Sequence, residues 1–225
     1  MDTIDKLAHL LKTQAWRDRF LRIIGFACQL VAARLQGRKL AVRFSLFGTA
    51  VSRTRAFTRF LDDIPMLQTT LGYGLGTEDE PMLQRILKVL GNLSSQLFFP
   101  VEHIAMFCQI GALPESKYLL WVGRATTLWA VSLSLALIRN ILAIYKLSKD
   151  KSRLSKSSSD RRGMKVVDAQ LRLQTLTVIK DLCDFANAIN FLPYSILWNQ
   201  KLSPTQSAAF GVVASALNML ILSMN

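Results

Sequence analysis

The sequence has little of what enzymes and disulfide-stabilised proteins use. Its 225 residues include only two histidines and three cysteines, and 15 acidic residues stand against 28 lysines and arginines. The cysteines, Cys28, Cys108 and Cys183, lie far apart and form neither a disulfide framework nor a paired metal motif. We therefore predict reduced thiols, a non-enzymatic protein with no catalytic residue, and neither a metal site nor a cofactor.

Phosphate-binding loops and strands are missing as well. The glycines at 72, 74 and 76 follow no strand, so they predict a turn rather than a phosphate cradle. No segment alternates polar and apolar residues strictly, whereas helical periodicity is present through most of the chain. The sequence predicts an all-α protein. Its first residues include acids where a secretory signal has basic residues. Any membrane-targeting signal is therefore predicted to lie within the chain.

What the chain does have is an unusual pairing of apolar and basic character. Hydrophobic residues make up 51% of the sequence, yet its formal net charge is +13 and its pI is about 10.1. Soluble nucleic-acid-binding proteins are basic but polar. Proteins bound to an anionic membrane surface need apolar contact area together with lysine and arginine. The composition favours a membrane-associated helical bundle.

The segment Gly37–Asp63 combines these properties most densely, with basic residues and phenylalanines on a helical repeat. It predicts an amphipathic helix that inserts into one leaflet of an anionic membrane. The residues assigned to lipid phosphates are Arg34, Arg38, Lys39, Arg43, Arg53, Arg55 and Arg59. The residues assigned to membrane insertion are Phe44, Phe47, Phe57 and Leu61. Met82–Phe98 has the cleanest amphipathic pattern, which fits either the surface of a bundle or a second membrane-lying helix.

Two further segments are candidates for transmembrane helices. Tyr118–Tyr145 is apolar, but Arg124 and Arg139 leave only 14 residues between them free of charge. Thr205–Met224 has 20 residues without an ionisable side chain. Its small residues recur every four positions, a spacing that allows helices to pack closely in lipid. These helix-packing residues are Ser207, Gly211 and Ser215.

These features divide the chain into four regions. Residues 1–117 form an amphipathic membrane-remodelling region, and residues 118–145 a hydrophobic helix that could span the membrane. Residues 146–165 are rich in lysine, arginine and serine, which predicts a flexible basic linker. Residues 166–225 contain the C-terminal helices, including a membrane anchor at 205–224.

Several blocks, taken in order along nearly the whole chain, resemble the peroxin-11 family of peroxisomal membrane proteins, most closely its gamma branch. The blocks are Trp16–Arg22, Ser52–Phe60, Val101–Ala105, Leu120–Trp129 and Val178–Leu182. The resemblance implies a multi-pass protein of the peroxisomal membrane that elongates the membrane into protrusions before fission. It also implies association with itself, with sibling family members, and with a tail-anchored adaptor that recruits a dynamin-like GTPase.

The resemblance implies two spans with both termini in the cytosol, which would put the basic residues 146–165 in the matrix. The positive-inside rule would instead keep them cytosolic. Two alternative functions remain at this point. A soluble helical protein could bind nucleic acid through the same arginines, although the apolar tail disfavours it. A small membrane channel could use Arg124 and Arg139.

Overall fold

Helices form almost all of the structure. The computed structural model describes residues 10–76, 80–156 and 161–224, together with Asp5 and Ala8. These described residues contain seven α-helices with defined ends, one short 3-10 turn and no strand. The helices are α1 (Gln14–Arg34), α2 (Lys39–Thr58), α3 (Asp63–Tyr73), α4 (Met82–Gln109), α5 (Tyr118–Lys156), α6 (Arg161–Asn190) and α7 (Pro204–Met224). The all-α prediction is confirmed.

The ends of the first helices follow from local chemistry. The hydroxyl of Thr13 accepts a hydrogen bond from the backbone N–H of Trp16, which caps the start of α1. Gly37 has φ +81°, a conformation that glycine adopts without strain, and it allows the chain to turn between α1 and α2. Pro100 does not end α4, which continues to Gln109.

Six of the helices follow one another around the fold. Neighbours pack in the order α2, α1, α7, α6, α5 and α4, and a light contact between α2 and α4 closes the circuit. Helix α3 packs against α4. This arrangement brings residues distant in sequence, such as those of α1 and α7, onto the walls of one space between the helices.

Two close helix crossings depend on glycine. Gly25 and Gly48 are buried at the contact of α1 with α2, where a Cβ on Gly48 would lie 3.0 Å from the Gly25 carbonyl oxygen. A Cβ on Gly211 of α7 would lie 2.2 Å from the ring of Phe26 on α1. Alanine at position 211 would therefore require the Phe26 ring or one of the two helices to move.

The two long apolar segments are helical, and both meet the length and composition required of a membrane span. These are Glu115–Ser155, with mean hydropathy 1.7, and Pro204–Met224, with mean hydropathy 1.8. Only 22% and 28% of their most apolar stretches are buried within the fold. Helix α7 has 21 residues, or roughly 31 Å at 1.5 Å per residue, which matches a hydrocarbon core of ~30 Å.

The predicted flexible linker at 146–165 differs from the structure. Helix α5 continues to Lys156 and α6 begins at Arg161, while residues 157–160 lie outside the described part. Lysine, arginine and leucine have high helix propensity, and no proline or glycine interrupts the segment before Gly163. A highly charged composition is therefore compatible with helix on both sides of residues 157–160.

Candidate functional site: the outer apolar surface and the ionic cavity

The distribution of polar and apolar residues is partly reversed relative to a soluble bundle. The buried polar residues in the described ranges include Asn140, Asp181, Asp184, Asn187 and Ser215. Many leucine, isoleucine and phenylalanine side chains are exposed instead, on α2, α3, α4, α5 and the loop before α7. Large contiguous apolar patches are rare on soluble monomers. This distribution suits a molecule whose surroundings include lipid.

Helices α3 and α4 present the most regular exposed apolar face, which we call the outer apolar surface. Its residues are Ile64, Leu67, Leu71, Leu75, Met82, Leu83, Ile86, Leu90, Leu93 and Leu97, each between 43% and 77% exposed. The polar residues of α4 are less exposed than these apolar side chains. Gln84, Lys88 and Gln96, for example, are half-buried. Met82–Phe98 was predicted to be either a surface helix of a bundle or a helix that lies on a membrane. Its exposed apolar face favours the second interpretation.

Helix α2 carries three of the predicted membrane-inserting residues, and the fourth, Leu61, lies in the turn after it. Phe47, Phe57 and Leu61 are exposed, whereas Phe44 is half-buried against the bundle. The buried side of α2 is formed around Gly48 and Val51. Three of the four predicted side chains are therefore available to a membrane, and Phe44 contributes to helix packing.

The seven predicted lipid-binding residues fall into two groups. Five of them are exposed, at the end of α1, in the turn that follows, and on α2: Arg34, Arg38, Lys39, Arg43 and Arg53. Arg55 and Arg59 instead point into the protein. Arg55 donates two hydrogen bonds of 2.9 Å to the carboxylate of Asp18, and Arg59 pairs with Glu102 of α4.

The placement of Arg55 and Arg59 corrects their assignment to lipid phosphates. Their guanidinium groups connect α2 to α1 and α4, so they are used within the fold. Burial lowers the pKa of Arg55, although its hydrogen bonds to Asp18 oppose this shift. Burial also raises the pKa of Glu102, against the opposing charge of Arg59. Sequence periodicity could not identify these partners, because they lie on other helices.

Arg22 completes this group of ionic contacts. It pairs with Asp184 of α6, and the side chains of the two residues are 12% and 6% exposed. The guanidinium of Arg22 also lies over the ring of Phe26, 5.6 Å from its centroid. Neither Arg22 nor Asp184 was predicted from the sequence to be a site residue. Each closely follows other charged residues, Arg22 after Asp18 and Arg19 and Asp184 after Asp181, so no local pattern distinguishes it.

These ion pairs line an ionic cavity of about 540 Å³ between the helices, which is partly open to the outside. Residues from α1, α2, α4, α5, α6 and α7 form its walls. Its polar lining includes Asp18, Arg19, Arg22, Arg55, Arg59, Asp62, Glu102, Asp184 and Asn218. Its apolar lining includes Phe26, Phe98, Val122 and Trp129. The cavity volume lies within the range of ~300–1,000 Å³ that is typical of ligand-binding pockets.

The predicted packing residues of the C-terminal helix are buried. Ser207, Gly211 and Ser215 all lie on the side of α7 that meets its neighbours. The Ser207 hydroxyl donates a hydrogen bond of 2.8 Å to the side-chain oxygen of Asn187 on α6. Helix α7 thus packs between α1 and α6 within a single chain, so the small residues are already occupied by intramolecular contacts.

Comparison with known proteins gives one family. A model of the family "Peroxisomal biogenesis factor 11 (PEX11)" matches residues 4–222. The chain is 32% identical to "Peroxisomal membrane protein 11C" of Homo sapiens, over 97% of this chain and 94% of that protein. It is 31% identical to the protein of the same name from Mus musculus, over 97% of this chain and 93% of that protein. No solved structure matches.

Proposed function

Because the chain belongs to the peroxisomal biogenesis factor 11 family, as its resemblance to peroxin-11 predicted, we propose that it elongates the peroxisomal membrane before fission. In this proposal it acts without enzymatic chemistry, as a multi-pass protein anchored by α5 and α7. Helices α2, α3 and α4 supply the surface that enters the outer part of one leaflet. The proposal does not include nucleic acid as a partner, because the C-terminal helix of the protein is apolar and uncharged.

The outer apolar surface is the observation that carries this proposal. Burying one leucine or isoleucine side chain contributes roughly 1.5–3 kcal/mol relative to its exposure to water. The ten side chains of the outer apolar surface are 43–77% exposed, so each contributes part of this value, and together they favour transfer of the surface into the apolar part of a membrane. Helices placed in one leaflet increase the area of that leaflet alone, which favours outward curvature.

The exposed basic residues add attraction to anionic headgroups. Arg34, Arg38, Lys39, Arg43 and Arg53 are exposed near the start and on the outer side of α2. Each basic residue that approaches an anionic leaflet contributes about 1 kcal/mol. Phe47 and Phe57 lie exposed on the same helix, and Leu61 lies exposed in the turn that follows it. In the proposed mechanism, charge brings the surface to the membrane and the apolar side chains enter it.

The proposal includes several copies acting together, through contacts with itself and with sibling family members. A tail-anchored adaptor and a dynamin-like GTPase would then act on the elongated membrane. Because Ser207, Gly211 and Ser215 are occupied within the chain, self-association would use other surfaces. The exposed apolar residues of α5, among them Val131, Ile138 and Ile141, are available for such contacts.

Two glutamates on the outer apolar surface should abolish membrane elongation. The variant Leu90→Glu with Leu93→Glu places two charges where 46% and 49% exposed leucines would enter lipid. A charge in the hydrocarbon region costs about 2.5–3.5 kcal/mol, and the leucine burial is lost as well. We expect the full-length protein, reconstituted in liposomes with anionic phospholipid, to tubulate them, and the variant to leave them spherical in electron micrographs.

The matched control adds the same two charges to the other side of α4. Gln84→Glu with Ser95→Glu changes residues that are half-buried and outside the outer apolar surface. This control should tubulate liposomes as the unaltered protein does. The proposal is wrong if both double variants tubulate equally, or if the control alone loses the activity while both remain inserted in the bilayer.

A further inference from the structure

The charges of the ionic cavity balance overall but not pairwise. Four arginines and four carboxylates line it, and three ion pairs use all but one of each. Within the described ranges, Arg19 and Asp62 have no ion-pair partner. Arg19 instead donates to the side-chain oxygen of Asn218 at 3.2 Å and to the Ala15 carbonyl at 2.8 Å. The cavity therefore presents one extra cation and one extra anion.

Two further buried atoms, both in residues that line the cavity, lack hydrogen-bond partners among the described residues. The Nε of Arg59 is a buried donor and the Oε2 of Glu102 is a buried acceptor, and neither is satisfied by the described residues. The two belong to one ion pair, which is made through the other atoms of these side chains. Unsatisfied buried groups of this kind are uncommon and call for an explanation, such as a bound molecule. A fitting ligand would accept from Arg59 and donate to Glu102.

Most of the remaining lining is apolar or aromatic. Phe26, Phe98, Val122 and Trp129 face the same space as the charged groups. An inorganic ion would leave these side chains without contact. A molecule with a charged end and a carbon-rich part would match both kinds of lining, and a pocket of this volume accommodates it.

We propose that the ionic cavity binds a phosphate and an ammonium group joined by a short carbon chain, as in phosphoethanolamine. The phosphate accepts hydrogen bonds from Arg19 and from Nε of Arg59. The ammonium group donates to Asp62 and to Oε2 of Glu102. The apolar side of the cavity contacts the carbon chain. The same chemistry occurs in the headgroup of phosphatidylethanolamine and in free phosphoethanolamine, and the experiment separates the two sources.

The test measures binding to the full-length protein in detergent by native mass spectrometry. The probes are dioleoylphosphatidylethanolamine, dioleoylphosphatidylglycerol, which has a phosphate but no ammonium, and free phosphoethanolamine. We expect the first lipid to bind about tenfold more tightly than the second, since the two carboxylates repel a headgroup that is only anionic. Tighter binding of free phosphoethanolamine than of the lipid would identify a soluble ligand, and tighter binding of the lipid would identify the lipid. Both results support the site.

Two single variants test the assigned groups without breaking an ion pair. Arg19→Gln should weaken binding of both lipids about tenfold, because the phosphate loses a charged donor. Asp62→Asn should reduce the preference for the ethanolamine headgroup about tenfold. The exposed residues Arg17 and Glu115 provide controls of matched charge, and Arg17→Gln and Glu115→Gln should bind as the unaltered protein does.

Helical content and thermal midpoint are checked for each variant, and Asp62→Ser replaces Asp62→Asn if the latter does not fold. The proposal fails if the unaltered protein binds the two lipids equally or binds none of the probes. It also fails if Arg19→Gln matches Arg17→Gln, or if neither carboxylate variant alters headgroup preference. None of these measurements depends on membrane elongation, so the proposed function and this site can fail separately.

Discussion

Alanine in place of Asp184 is expected to lower the thermal midpoint of the protein by about 6–20 °C. The change leaves the charge of Arg22 inside the bundle without its carboxylate partner. Breaking a buried ion pair in this way costs about 3–5 kcal/mol. Since the pair joins α1 to α6 across the ionic cavity, its loss should weaken the contact of helices that are far apart in sequence.

The measurement uses the full-length protein in detergent, with Cys28 and Cys183 replaced by alanine in every variant, and a maleimide dye that reacts with the remaining Cys108. That side chain is 1% exposed, so its labelling reports opening of the bundle. Asp168→Ala is the control, because Asp168 pairs with Lys151 on the surface and both side chains are 48% exposed. An exposed pair contributes at most about 1 kcal/mol. Equal shifts for the two variants would mean that the Arg22 pair does not stabilise the fold.

Alanine in place of Gly211 should also be strongly destabilising, although it adds only one methyl group. That methyl would lie 2.2 Å from the Phe26 ring, well inside any permitted contact. Either the ring or the whole of α7 must move, and overpacking of this kind costs about 1–3 kcal/mol. We expect the thermal midpoint to fall by about 2–12 °C, in the same labelling assay.

Gly91→Ala provides the matched control for Gly211→Ala. Gly91 lies in the middle of α4, and a Cβ there would meet nothing within 4 Å. Alanine is favoured over glycine in a helix by about 0.5–1 kcal/mol, so this variant should be at least as stable as the unaltered protein. Combining Gly211→Ala with Phe26→Leu should recover part of the lost stability. A Gly211→Ala protein that is as stable as Gly91→Ala would show that α1 and α7 do not approach closely.

The positions of the helices were largely predictable from the sequence, because helical periodicity and helix-ending residues are local signals. The predicted start of the tail helix at Thr205 differs from the observed start at Pro204 by one residue. The basic region after Tyr145 was assigned to a flexible linker, and this was wrong up to Lys156. Its composition is typical of disorder, but its residues also have high intrinsic helix propensity, and the structure follows the second property.

The roles of the arginines could not be predicted in the same way. Arg53 and Arg55 are two positions apart on one helix, yet the first is exposed and the second forms an ion pair with Asp18. Helical projection shows which residues share a face, but it does not show which face meets another helix. In α2 the face that contains Arg55 and Arg59 turned out to be the inner one.

The amino-acid sequence by itself determined the all-α class, the two long apolar helices and the membership of the family, because these depend on local patterns and on the order of residues along the chain. Only the tertiary structure decided that apolar faces of α3 and α4 are exposed and that four arginines from α1 and α2 line the ionic cavity. The physical reason is that an ion pair or an exposed face is set by the partner helix, which can be more than a hundred residues away, as Asp184 is from Arg22.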